Sequence, residues 1–271
     1  MLRVCKRNTS DPLVRAFLDN YGLNLLSIPR QNAMCGDLYI ADGSRVSAPG
    51  HITQVLIPPP VLPQPVTGEA LTELTGVVSK QVSAEVGLGL SEKLLAAFGA
   101  AGVVTSFKQA YAAKKASRIR FRFRDATRDY MDPLALGTAL KNCRLDTTHP
   151  FVAAGHTYFV VGGVVRTQSI SIVAEDMREN SIDVDIGAMQ LADAKAKVEA
   201  TRTNIGEVTY TGADKLAIGV ELYELVDDRE QQKLTLKLPK KAPRTLRGQS
   251  VPAVSPALVG APDGDIFITV T

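Results

Sequence analysis

The 271-residue chain has no tryptophan, three cysteines and three histidines. The cysteines (Cys5, Cys35, Cys143) are odd in number and no two sit at metal-ligand spacing. That argues against a disulfide framework or a zinc site and for free thiols in a reducing compartment. His51, His149 and His156 are isolated, without a partner at ligand spacing. Charge of one sign is lacking too: 31 Lys+Arg against 28 Asp+Glu leave a formal +3, too weak for a nucleic-acid binder. The longest charge-free apolar stretch, Leu94 to Phe107, falls short of the ~20 residues a membrane-spanning helix needs. The start, Met1-Leu2-Arg3-Val4-Cys5-Lys6-Arg7, lacks the apolar centre of a secretory or lipoprotein signal. Disorder is excluded by 45% hydrophobic and 22% charged residues.

Catalytic signatures are missing as well. There is no G-x-S-x-G elbow, no H-E-x-x-H pair and no Walker-type phosphate loop. Gly87-x-Gly89 lacks the third glycine of a dinucleotide site. Cys143 and His149 make a nucleophile–base pair only if the fold happens to join them. An enzyme is not expected, nor any bound metal or cofactor.

What the chain does have is unevenly spread. Five of the 15 prolines lie between Pro58 and Pro65, a run that must be extended and cannot donate ladder bonds, so it reads as a stiff connector. An SH3-type ligand is the alternative. Upstream, Asp11-Pro12 opens a helix whose apolar face is Leu13, Val14, Phe17 and Leu18, with Gly22 as its stop. Leu23 to Ile28 then reads as a strand ended by Pro29.

From Gly68 to Ala116 the pattern predicts mostly helix, with a stripe of Leu94, Leu95, Phe98 and Ala101. Gly87, Gly89, Gly99 and Gly102 weaken it by roughly 1 kcal/mol each against alanine. Such a helix either changes shape or packs closely. The period then switches to two: Arg118-Ile119-Arg120-Phe121-Arg122-Phe123-Arg124 puts four guanidiniums on one face and three apolar side chains on the other, just after Lys114 and Lys115. A second helix follows from Asp132-Pro133 to Cys143.

Val160 to Ala174 reads as strand, with a polar turn near Met177–Asn180 and an alternating return, Ser181 to Ile186. Ile170, Ile172, Ile182, Val184 and Ile186 share one face. Glu175-Asp176, Asp183 and Asp185 read as a solvated face. Gln190 to Thr203 predicts a helix, and strands are expected at Glu207–Thr211, Leu216–Val226 and Lys233–Leu238. The whole is α+β, a twisted and largely antiparallel central sheet with surrounding helices and a short C-terminal tail.

That tail is distinctive. Lys233 to Arg247 carries six bases and no acid, whereas Gly248 to Thr271 carries two acids (Asp263, Asp265) and no base. The Pro/Ala/Arg/Gly/Ser composition of 240–250 resembles an exposed, protease-accessible loop. Beyond it lie Val251, Val254, Leu258 and Val259, then the strand-forming Ile266-Phe267-Ile268-Thr269-Val270-Thr271. Burying its eight apolar side chains yields about 10–20 kcal/mol gross. Ordering the tail at ~1–2 kcal/mol per residue opposes most of that, so its hold depends on the tether. A plain C-terminal strand completing the fold is equally compatible with the composition. The arm Val164–Ala174 also has the ~9–11 residues of a membrane β-strand, though any half-buried sheet alternates in this way.

Taken in order, these features resemble a bacterial gasdermin. They are a cysteine near the start, Ser10-Asp11-Pro12, Tyr21-Gly22, Leu26-Ser27-Ile28-Pro29-Arg30, Leu95-Ala96-Ala97-Phe98-Gly99, the basic strand ending Phe121-Arg122-Phe123-Arg124-Asp125, Asp132-Pro133-Leu134, and Tyr158 to Asp176. The resemblance implies a pore-forming body at 1–240, a cleavable linker at 241–250 and an autoinhibitory peptide at 251–271. It implies a soluble cytoplasmic monomer held off by Ile266, Phe267, Ile268 and Val270, cut by an activating protease near Arg244, Leu246, Arg247 and Gly248. The freed body becomes a homo-oligomer in the inner membrane, its regions 68–124 and 160–210 refolding into β-hairpins that kill the cell in anti-phage defence. Lys114, Lys115, Arg118, Arg120, Arg122 and Arg124 meet anionic lipid headgroups, and Cys5 carries a fatty acyl group, palmitoyl by resemblance. Without the resemblance, a soluble non-enzymatic binding module with a structural C-terminal strand is the alternative.

Overall fold

The computed structural model describes residues 17–18, 20–42, 45–71, 73–79, 118–176, 178, 181–182, 199–202, 207–228 and 233–237. Two long neighbouring strands, β10 (Thr157–Glu175) and β13 (Val208–Asp228), form the spine of a 12-stranded sheet. They run antiparallel from Tyr158↔Leu225 to Ile172↔Val208. The other side of β10 is lined in turn by β2 (Asp37–Asp42), β8 (Thr127–Tyr130) and β7 (Arg118–Arg124). The far side of β13 takes β1 (Asn24–Arg30), β12 (Glu199–Arg202) and β14 (Lys233–Lys237). Around these, β3 (Arg45–His51) pairs with β2, β5 (Val66–Ala70) with β8, β6 (Leu74–Ser79) with β7, and β11 (Ser181–Ile182) with the end of β10. A separate ladder joins β4 (Leu56–Ile57) to β9 (Arg144–Leu145).

The two expected spine strands fuse into one. Between Thr167↔Leu216 and Ser169↔Thr211 the register shifts, so 212–215 bulge out of β13 against the single residue Gln168. The Gln168 amide fastens the bulge, donating to the carbonyls of Gly212 (2.8 Å) and Ala213 (3.2 Å).

The core packs against both faces of β10 and β2, where the consecutive residues Phe159 and Val160 are both buried, and the helix α1 (Pro133–Leu140) adds Leu136 and Leu140 to the same cluster as Tyr39. α1 starts as its sequence requires: Asp132 Oδ1 accepts the Ala135 N–H at 2.7 Å and Pro133 occupies the first turn. Gly22, at φ 67°, ends the helical residues before it by donating to the Leu18 carbonyl. The residues from Pro58 to Pro65 enter neither helix nor strand, as a proline-rich connector must.

Three expectations are corrected. Helix from Gly68 is wrong for its described part, where β5 and β6 are strands; Leu74, Val77 and Val78 suit a sheet, and the stripe from Leu94 lies outside the described residues. The predicted helix to Thr203 ends instead in β12, because pairing along β13 outweighs alanine's helix preference. β1 runs through Pro29 to Arg30, its register slipping between Leu25 and Arg30 so that proline's missing donor interrupts no ladder. Among the described residues, α1, residues 17–18 and 20–21 and one 3-10 turn at Ile52–Gln54 are helical; the other helices expected around the sheet lie outside the described residues.

Candidate functional site

The alternating strand β7 keeps the two faces that its sequence predicts. Phe121 and Phe123 are buried, and the Phe123 ring meets the edge of Phe17 at 5.2 Å and 87°. In register beside them on β10 are Ile172 and Ile170, also buried. These isoleucines therefore face the protein core in this state. Ile182 is placed in β11; Val184 and Ile186 lie outside the described residues.

The opposite face carries the arginines, and each described guanidinium meets a carboxylate. Arg120 binds Glu175 through two nitrogens, at 2.9 and 3.2 Å. Arg124 Nη2 lies 2.6 Å from Glu207, and Arg122 reaches Glu73 at 3.4 Å and Glu207 at 3.7 Å. Arg118 is placed in β7, opposite Glu175 in the ladder. The acids are the buried members: Glu175 and Glu207 are 4% and 2% exposed, whereas the side chains of Arg122 and Arg124 keep 30% and 42%. Glu175 thus overturns the expectation of a solvated acidic face. Between the arginines and β13 lie the small buried residues Thr167, Ser169 and Ser171, and Ser171 Oγ is 2.6 Å from Thr209 Oγ1.

The charged layer continues along the sheet. Arg128 joins Glu221 at 2.7 Å and Glu69 at 3.6 Å, and stacks on the Tyr130 ring at 4.5 Å. Burial works against its charge, but Glu221, Tyr223 and Glu69 together outweigh that and raise its pKa. Arg166 holds Asp129 at 3.1 Å and the carbonyls of Gln31 and Ala33. Beneath this layer the Cys35 thiol faces the Asp129 and Gly162 carbonyls, and burial first, then Asp129 and Glu221, push it up to about 12. A thiol so protonated is no nucleophile at neutral pH. Burial also raises Cys143.

Among the described residues no group of three His, Cys, Asp or Glu is placed to hold a metal. No described helix is long and apolar enough to cross a membrane, which says nothing of strands. Strand direction is more telling. β6 runs toward Ser79, β7 returns from Arg118, β10 runs to Glu175 and β13 returns from Val208, and the four lie side by side in the order β6, β7, β10, β13. β6 and β10 therefore stop, and β7 and β13 begin, at one and the same end of the sheet, where β11 and β12 also pair.

Residues 26–232 match the family model of the Bacterial Gasdermin Family. The chain belongs to the bacterial gasdermins. A bacterial gasdermin of Vitiosangium sp. is 27% identical over 223 residues, spanning 80% of this chain and 81% of that one. Another, from Bradyrhizobium tropiciagri, is 27% identical over 225 residues, 82% of this chain and 83% of the relative. The solved structure of a bacterial gasdermin from Bradyrhizobium tropiciagri superposes with a TM-score of 0.58 at 24% identity, covering 85% of this chain and 92% of that one, a likeness of fold. Gasdermins are pore-forming proteins, not enzymes, and the family implies membrane interaction and oligomerisation.

Cys5, Lys114 and Lys115, the linker residues Arg244, Leu246, Arg247 and Gly248, and the tail residues Ile266, Phe267, Ile268 and Val270 lie outside the described residues. Sequence reasoning missed the counterions Glu73, Glu175 and Glu207. No local spacing announces them, since Glu207 reaches Arg124 across 83 residues of chain.

Proposed function

We propose that this gasdermin is held inactive by its C-terminal segment and that a protease cutting near Arg244–Gly248 releases the body to assemble into a membrane pore. The observation that carries this is the common end of the sheet at which β6 and β10 stop and β7 and β13 begin, linked by 80–117 and 176–207. Each segment has more than the about 20 residues two spanning strands require, so continuing β6 with β7 and β10 with β13 yields two adjacent hairpins in one sheet. A sheet in lipid cannot leave an edge open, so neighbouring copies must close the ring.

In that reading the apolar face of β7 and β10 turns to lipid, and the arginines reach anionic headgroups at about 1 kcal/mol each near the surface. Cys5 carries a fatty acyl anchor, the inactive protein is cytoplasmic, and the pore opens in the inner membrane during anti-phage defence. The test is dye release from phosphatidylglycerol vesicles by full-length chain and by chain cut at an engineered site after Arg247. Leakage by the cut form alone is expected. A cut form that unfolds and leaks nothing would make the tail a structural strand.

A further inference from the structure

Arg122 and Arg124 stand two residues apart on one face of β7, with one carboxylate of this same chain set between them. Glu207 Oε1 lies 2.6 Å from Arg124 Nη2 and Oε2 lies 3.7 Å from Arg122 Nη1. The carboxylate is almost wholly buried, whereas both guanidiniums retain access to solvent. Two guanidiniums flanking one small anion, Arg124 within hydrogen-bond distance and Arg122 in ion-pair range, form a donor set suited to a phosphate group. The side chains beside it are short hydroxyls, Ser169, Ser171, Thr209 and Thr211.

We propose that Arg122 and Arg124 form a phosphate-binding site for an anionic lipid headgroup, which Glu207 fills in the inactive chain as an internal stand-in. This rests on the pore reading above and adds which basic residues bind the headgroup and what keeps them from it. Glu207 immediately precedes Val208, the first residue of β13, and belongs to no ladder. Joining it to β10 would set it opposite Val173, in the row of Arg120 and four residues along β7 from Arg124. Val208 is in the ladder already, so entering the ladder re-aims the Glu207 side chain along the row of Arg120 and away from Arg124, and the site opens as the hairpin forms. The tail need not touch this latch, so cutting and unlatching are separate steps.

The experiment uses the full chain cut after Arg247, with vesicles of phosphatidylcholine containing increasing phosphatidylglycerol, read by co-sedimentation and dye release. Glu207→Gln is expected to lower the phosphatidylglycerol fraction needed for half-maximal binding about twofold or more and to shorten the lag before release. Arg124→Gln is expected to raise that fraction. An unchanged lipid dependence in a Glu207→Gln protein with a native melting profile would overturn the proposal. Should Glu207→Gln fail to fold, Glu207→Asp keeps the charge but shortens its reach; it should shift the threshold in the same direction, and no shift overturns the proposal equally. Millimolar inorganic phosphate is the second arm: if it protects the Glu207→Gln protein against thermal unfolding while the vesicle threshold stays put, the ligand is a soluble phosphate and the lipid assignment falls. If uncut and cut wild-type chains both leave every vesicle intact, the pore reading itself fails, an outcome distinct from leakage with an unmoved threshold.

Discussion

Phe123 packs the sheet against the helical residue Phe17, fully buried and edge-on to its ring. Phe123→Ala should cost about 3–5 kcal/mol, because the large ring leaves a cavity that the paired strands cannot close. In a protein of this size that lowers Tm by roughly 10 °C, read by calorimetry. Cys35 offers a test of opposite kind. Its thiol is raised from 9.0 to about 12, first by burial and then by Asp129 and Glu221. A group raised on folding contributes stability below its unfolded value and loses it as pH climbs toward the folded one, here between 9 and about 12. Cys35→Ala should therefore flatten the alkaline decline of Tm across that window, by up to about 1.4 kcal/mol per pH unit. An unaltered slope would mean the thiolate is tolerated where it sits. At this scale the apolar residues were legible, since alternation alone assigns Phe121 and Phe123 inward. Their charged neighbours were not: Glu175 sits in a stretch that alternates like a solvated face, yet the Arg120 guanidinium from another strand buries it.

Elements whose periodicity is unbroken, β7 and β10, could be placed from the sequence to within a few residues, and so could α1 with its Asp132-Pro133 start. β6 and β12 could not. Their few residues carry no period of their own, and they are strands because β7 and β13 offer them an edge to pair with. β6 has one further tie, from outside the sheet: the Tyr21 hydroxyl accepts the Thr75 N–H at 3.0 Å and donates to the Thr75 carbonyl at 3.2 Å. Tyr21 thus bonds backbone groups that an edge strand would otherwise leave to solvent. Tyr21→Phe should lower stability by about 1–2 kcal/mol and speed hydrogen exchange at the β6 amides selectively. Equal loss of protection across the whole sheet would instead show that β6 opens only with global unfolding.

For the molecule as a whole, the decisive relation is that β10 is flanked on both sides up to its last residues, by β7 through Glu175↔Arg118 and by β11 through Ala174↔Ile182 and Glu175↔Ser181. β11 stands on the side of β10 where β13 would continue past Ile172↔Val208. Pairing with β11 and pairing with a longer β13 are therefore mutually exclusive uses of the same strand edge, and in the proposed pore β11 leaves. Cysteines introduced at the opposed positions Ala174 and Ile182 are close enough in an antiparallel ladder to be joined with little strain. With the bond formed, chain cut after Arg247 should still bind anionic vesicles yet release no dye, and a reductant should restore release. Without the bond, the same double variant should leak as the wild type does. Undiminished leakage from the crosslinked chain would mean that β10 and β11 enter the membrane as they stand, and that only the segment between β6 and β7 is remodelled.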